Sequence, residues 1–152
     1  MNTKLKPDAQ VCLLDPQGAR TPIKQLPTSK GLKTLGVRLA PLGDFKDEFL
    51  HRKEAISKIV AKLVRAHFTR YEARLALRNV FWNKLSYPLW VTDFSKTQCR
   101  TLQKLFMKHF LPRIGYNRKM PLVVIHGPTN IGGLGLLHVE YKQGLLHSVI
   151  LL

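Results

Sequence analysis

Lys96, Arg100, Lys104 and Lys108 recur at every fourth position with no acid between them. Residues four apart lie on one face of a helix, so this spacing predicts a basic stripe opposite Cys99, Leu102, Phe106 and Phe110. Like charges in a row repel one another. Such a stripe is either a solvated face or a surface compensated by an outside anion, such as the phosphates of a nucleic acid. Arg70, Arg74 and Arg78 repeat the device one helix earlier, and Lys58 and Lys62 repeat it on the helix before that.

Other chemistries find less support. The run GGLGLL at Gly132–Leu137 could cradle an anion on glycine amides before a helix. It lacks GK[ST], a full GxGxxG and an acid at ribose-binding distance, so tight backbone packing is the simpler reading. His51, His67, His109, His126, His138 and His147 show no paired metal-ligand spacing, and no serine sits in GxSxG. There is no adjacent Asp-Asp pair, whereas two-metal phosphoryl transfer needs converging carboxylates. Cys12 and Cys99 lack metal spacing and are read as buried free thiols rather than a disulfide. Tyr71, Trp82, Tyr87, Trp90 and Tyr116 could stack on bases, but at helical spacing most are expected in the core. The residues describe a binding module with no metal or cofactor of its own.

Composition points the same way. The 152 residues carry 25 Lys+Arg against 9 Asp+Glu, a formal charge of +16, with 45% hydrophobic residues. One folded domain with a polyanionic partner is the default, and nucleic acid is the commonest such partner. An anionic membrane surface is a weaker competitor. No apolar run approaches the roughly 18–20 residues of a membrane span, and MNTKLKPDAQ lacks the apolar core of a signal peptide. An intracellular, nuclear or cytoplasmic location is therefore expected. Residues 94–152 are the most lopsided segment, with eight basic residues and Glu140 alone on the acidic side.

The elements that position these residues follow from periodicity and turn chemistry. QVCLLD, the turn Asp15-Pro16-Gln17-Gly18, and extended pieces at Thr21–Leu26 and Leu32–Ala40 predict a small β element. From Asp44, the expected N-cap with Asp47 and Glu48 in the first turn, a helix places Phe45, Phe49, Ile56, Ile59, Val60 and Leu63 on one side. A second helix is capped by Thr69 and Glu72 and offers Leu75, Leu77, Val80 and Phe81 to the core. It ends near Leu85, where SYPLW breaks it at Pro88. A third runs from Ser95 to Phe110 and stops at Leu111-Pro112. Then come GYNRKMP, a strand-like LVVIHG, the glycine-rich block and a helix still running at SVILL, an apolar end that suggests a longer parent chain.

In this order the pieces resemble the C-terminal part of the reverse transcriptases of non-LTR (LINE-like) retrotransposons, from just after the palm motif into the thumb and connection. VCLLDPQGARTPIKQL is similar to the hairpin after the catalytic Tyr-x-Asp-Asp strand, and Lys33-Thr34-Leu35-Gly36-Val37 to the family's K-T/Y-L-G-V strand. LSYPLW, QCRTLQKLFMKHFLPRIGYNRKMP and PTNIGGLGL are similar to later segments. The resemblance implies that Lys33, Thr34, Leu35 and Gly36 form a primer grip, with Arg38 beside it, and that the basic helices hold the primer-template backbone. The fingers, palm and catalytic aspartates, with the Mg of the complete polymerase, lie outside this chain. It therefore reads as an inactive fragment of such an RNA-directed DNA polymerase.

The expected fold is α+β, mainly α. Residues 1–8 are a disordered N-terminus, 9–42 an end-of-palm-like β element, 43–111 thumb-like helices and 112–152 a connection-like segment cut at its C-terminus. Nucleic-acid binding is the expected function. A stand-alone basic RNA- or DNA-binding protein is the alternative, and a nucleotide-dependent enzyme using GGLGLL the rival from another class.

Overall fold

Turn chemistry shapes the N-terminal quarter of the chain. The computed structural model describes residues 12–23 and 27–150, so expectations for residues 1–11, 24–26 and 151–152 lie outside the described residues. β1 (Cys12–Leu14) and β2 (Arg20–Pro22) pair antiparallel around the expected turn, where Gly18 takes φ +82° and the Asp15 carboxylate accepts the Gln17 N–H at 3.1 Å. Cys12 is exposed here, against the expectation of a buried thiol, while Cys99 is buried.

The stretch from Lys33 to Val37 is a second hairpin and not a single strand. β3 (Leu32–Thr34) and β4 (Val37–Leu39) pair with Thr34 opposite Val37, which leaves Leu35 and Gly36 as a two-residue loop. Both have positive φ, +50° and +89°, as the mirror-image hairpin turns require. Glycine adopts this freely; Leu35 does so at a steric cost, with its side chain 86% exposed at the tip. An alternating apolar pattern continues across a turn that carries no Asn-Gly signal, which is why the sequence reads as one strand.

Helix α1 (Lys46–Arg65) starts one residue later than an Asp44 N-cap would place it. Phe45 occupies the cap position, and the Asp44 carboxylate accepts the Lys46 N–H at 2.9 Å. The other two first-turn acids tie α1 to the hairpin. Asp47 accepts the Gly31 N–H at 2.8 Å. Glu48, fully buried, accepts the Arg38 N–H at 2.7 Å and pairs with Arg52 one turn along.

The next helical stretch is continuous through Pro88, contrary to the expected break. The Thr69–Glu72 capping box opens α2 (Arg70–Ala76), a π-helical turn spans Leu77–Phe81, and α3 (Trp82–Val91) follows. Ala73, Leu77, Phe81, Leu85 and Leu89 are buried at strict four-residue intervals. On a regular α-helix that stripe would rotate by about 40° per step; the extra residue in the π turn rotates it back toward the core. Leu75 and Val80, expected in the core, fall off the stripe and are exposed, as are Tyr71, Tyr87 and Trp90. Trp82 and Tyr116 do pack on the core.

Pro88 is tolerated because its partner group is satisfied from elsewhere. A proline leaves the carbonyl four residues back without its helical donor. Arg52 Nη1 donates to that carbonyl, Lys84 O, at 3.3 Å, while Nη2 donates to Gly36 O at 2.7 Å. One guanidinium thus joins the hairpin loop, α1 and the proline turn of α3.

A Ser95–Gln98 capping box opens α4 (Lys96–Arg113). It runs past Pro112 and ends at Gly115, φ +90°, with Tyr116 N–H on Leu111 O and Gly115 N–H on Pro112 O. Those two bonds are a Schellman cap, so the glycine, and not the proline, stops the helix. LVVIHG is helical as well: α5 (Leu122–His126) begins after Pro121, whose carbonyl accepts from Val124 and Ile125. A four-residue apolar run fits either structure, and among the described residues no strand lies beside it. α6 (Val139–Ile150) closes the described chain.

The result is two small antiparallel hairpins followed by a helical bundle, α+β and mainly α. α1 packs on α4, and α6 packs on α3 and α4. At the centre Phe81, Phe106 and Phe110 stack with centroids 4.3 and 5.2 Å apart.

Replacing Arg52 by Met would strand a fully buried carboxylate and two carbonyls. Urea unfolding should show a loss of about 3–5 kcal/mol, the usual cost of breaking a buried ion pair. A loss under ~1 kcal/mol, the range of a surface pair, would contradict the role given to Arg52.

Candidate nucleic-acid interface

The basic stripe forms as its spacing predicts. Lys96, Arg100, Lys104 and Lys108 are exposed along one face of α4, and Cys99, Leu102, Phe106 and Phe110 are buried on the other. α5 and α6 convert this face into a groove. One cleft, of about 580 Å³, is bordered by Lys96, Arg100 and Lys104 with residues of α5 and α6. A second, of about 350 Å³, continues along Lys104 and Lys108 and adds Arg118. Gln103, Lys104, Leu122 and His126 border both.

Two glutamines hold α6 against α4. Gln103 Oε1 accepts the Val139 N–H at 3.1 Å, and Gln143 donates to Asp93 Oδ1 at 3.0 Å and to Phe94 O at 3.1 Å. The Cys99 thiol donates to Gln143 Oε1 at 3.5 Å. Burial first, and then the Glu140 and Asp93 carboxylates, push that thiol up to about 11, so it is a packing group and not a nucleophile.

The glycine block shapes the far side of the groove. Among the amides of 132–136, Gly132 donates to Thr129 O, Gly133 to Pro128 O, Leu134 to Val124 O, Gly135 to Gly127 O and Leu136 to Ile125 O. Those N–H groups are already engaged and form no phosphate cradle. Gly133 lies so close to Gly127 that a Cβ would sit 2.1 Å from its carbonyl oxygen. Close backbone packing is the role of these glycines.

Electrostatically the groove is almost uncompensated. Lys96 Nζ meets Glu140 Oε1 at 3.2 Å, whereas no ion pair reaches Arg100, Lys104 or Lys108 among the described residues. Two histidines twelve residues apart, which nothing in their spacing pairs, meet edge to face here with centroids 4.9 Å apart, and Tyr141 lies against His138 at 5.2 Å. His126 Nδ1 lies 2.6 Å from Leu136 O and therefore carries its proton. His138 Nδ1 accepts the Glu140 N–H at 3.2 Å. Burial, then the charge of His126, holds His138 below its ordinary pKa, with Arg100 and Lys96 adding to the effect and Glu140 opposing it.

Of the residues singled out by spacing, only the α4 stripe is gathered at this groove. Lys58, paired with Glu54 at 2.7 Å, and Lys62 are exposed on α1 and border neither cleft. Arg74 and Arg78 are likewise exposed outside it. Arg70 lies over Gly115, beside the C-terminal end of α4, where a cation is favoured. The grip-like residues Lys33, Thr34, Leu35, Gly36 and Arg38 belong to the second hairpin, with Gly36 O and Arg38 N–H bonded to Arg52 and Glu48. Gln103, His126, His138, Tyr141 and Arg118 are not legible as site residues in the sequence. Their only signal is that they lie within the basic segment 94–152.

No protein-family model matches the chain, and neither a curated protein nor a solved structure matches it. No group of three or more potential metal ligands occurs among the described residues, and no described helix is long and apolar enough to cross a membrane.

His138 prefers its neutral form when folded, so its contribution to stability is complete above the unfolded pKa near 6.5. It is lost as pH falls through that value toward the lower folded one. Denaturant midpoints of the wild type should drop between pH 7.5 and 5.5, and those of His138→Gln should drop less. An identical drop in both would contradict the burial of His138.

Proposed function

We propose that this chain is a nucleic-acid-binding module that grips phosphate backbone along α4, and that it is a thumb and connection fragment of a retrotransposon reverse transcriptase. The observation that carries the binding reading is the groove in which Arg100, Lys104 and Lys108 have no ion pair among the described residues, its one bordering carboxylate, Glu140, being taken by Lys96, in a chain of net charge +16. Each phosphate neutralised there releases condensed counterions, which supplies affinity without sequence preference.

The carboxylates support binding over catalysis. All eight described ones have a structural partner. Asp15, Asp44, Asp47 and Glu72 accept backbone N–H groups. Glu48, Glu54 and Glu140 pair with Arg52, Lys58 and Lys96, and Asp93 accepts from Gln143. They are dispersed over the fold and do not converge on one point.

The polymerase origin rests on the resemblance of ordered segments, and a small hairpin element leading into a helical bundle is the architecture that resemblance implies. In that setting Lys33, Thr34 and Leu35 at the exposed hairpin tip would face the primer, with the Mg and catalytic aspartates supplied by the missing palm. A stand-alone RNA- or DNA-binding protein is the second reading, favoured by α6 closing over α3 and α4 through Gln143 and Gln103.

Replacing Arg100 and Lys104 together by Glu should weaken polynucleotide binding at every sequence. It should also make the log–log salt dependence shallower by roughly one unit for each phosphate no longer neutralised, about two in all. Fluorescence anisotropy over a salt series measures both. An unchanged slope in a folded double variant would overturn the assignment of the groove.

A further inference from the structure

We infer that the groove between α4, α5 and α6 seats an unpaired base of a single-stranded nucleic acid, with Arg100 and Lys104 on its flanking phosphates. The inference rests on the phosphate-binding reading of α4 and adds what the strand between those phosphates must offer.

Charge alone would take any polyanion, but this cleft contains more than charge. Its volume of about 580 Å³ falls in the range of small-molecule sites, roughly 300–1,000 Å³. Tyr141, 66% exposed, lies against His138 and borders the cleft, and an aromatic face beside a basic track is how proteins hold single strands. From α5, Leu122 and Val123 add exposed apolar surface to the same cleft, suited to the face of a base and unsuited to a phosphate.

The floor carries polar groups of the kind a base edge would use. Gln103 borders the cleft and is 5% exposed; its Oε1 is held by the Val139 N–H, which fixes the amide, and the buried Nε2 has no hydrogen-bond partner. His126 donates from Nδ1 to Leu136 O, so in the neutral ring Nε2 is the acceptor, and that buried atom also has no partner. Buried polar groups are rarely left so, because each unmade bond costs free energy. A base edge presents acceptors and donors side by side, the complement of a free amide NH₂ and a free imidazole nitrogen. In a duplex the faces are stacked and the Watson–Crick edges paired. An unpaired nucleotide has both available.

The test compares two labelled single strands of equal length, oligo-dA and the same sugar-phosphate chain with abasic sites, titrated against the full chain by anisotropy at matched salt. The base-bearing strand should bind ~5- to 100-fold more tightly, the range of one base–aromatic contact. Tyr141→Ala should bring it down to the affinity of the abasic strand, and Tyr141→Phe should retain the preference. Equal, salt-dependent binding of both strands by the wild type would overturn this inference alone, as would a preference that survives in a folded Tyr141→Ala variant. Failure of both strands to bind in a salt-dependent way would overturn the phosphate-binding reading and this inference with it.

Discussion

Glu48 and Arg52 are buried together where the second hairpin, α1 and α3 meet, and each polar atom they bring inside has a partner. The carboxylate takes the Arg38 amide and the guanidinium; the guanidinium takes the Gly36 carbonyl and the carbonyl that Pro88 leaves without a donor. A buried ion pair contributes little net stability over an apolar replacement of equal shape, but removing one partner is severe. The pair ties three elements to one another. It sets where the hairpin sits on α1 and allows a proline-containing helix to remain unbroken across the back of the bundle.

That continuity positions the groove. With α2, the π turn and α3 running as one rod, a single stripe from Ala73 to Leu89 is buried, and Phe81 meets Phe106 of α4. α4 is thereby held with its apolar face inward and its four basic residues outward. The described acids that could neutralise them are engaged elsewhere as caps, ties and ion pairs, so among the described residues only Lys96 finds one. The positive potential of the groove is the remainder of a chain that places its few carboxylates in structural roles.

Local chemistry is legible in the sequence, and long-range compensation is not. The Thr69–Glu72 box, the Ser95 start of α4, the Asp15–Gly18 turn and the stripe at 96–108 depend on residues within a few positions of one another. The mirror-image turn at Leu35-Gly36 lacks the usual turn residues. Pro88 reads as a breaker because its rescue comes from Arg52, 36 positions earlier in the chain. Gly115, not Pro112, ends α4 through a cap whose signal is a single glycine. At the site the basic residues follow from spacing and Gln103 shares their helix, but His126, His138 and Tyr141 meet there only through the loop of 127–138, whose course depends on close backbone approaches such as Gly133 against Gly127. The grip-like hairpin and the arginines of α2 and the π turn have equal standing in the sequence and lie away from the groove.

The proposed seat of polyanions is α4, and not basic surface in general. Mapping backbone amide chemical shifts of the isotope-labelled full chain during titration with a short oligonucleotide addresses this directly. Saturable changes are expected along Lys96–Lys108 and at His126 and His138–Tyr141, with smaller ones at Lys58, Arg74 and Arg78. Changes confined to the Leu32–Leu39 hairpin or α2, with α4 unmoved, would contradict it.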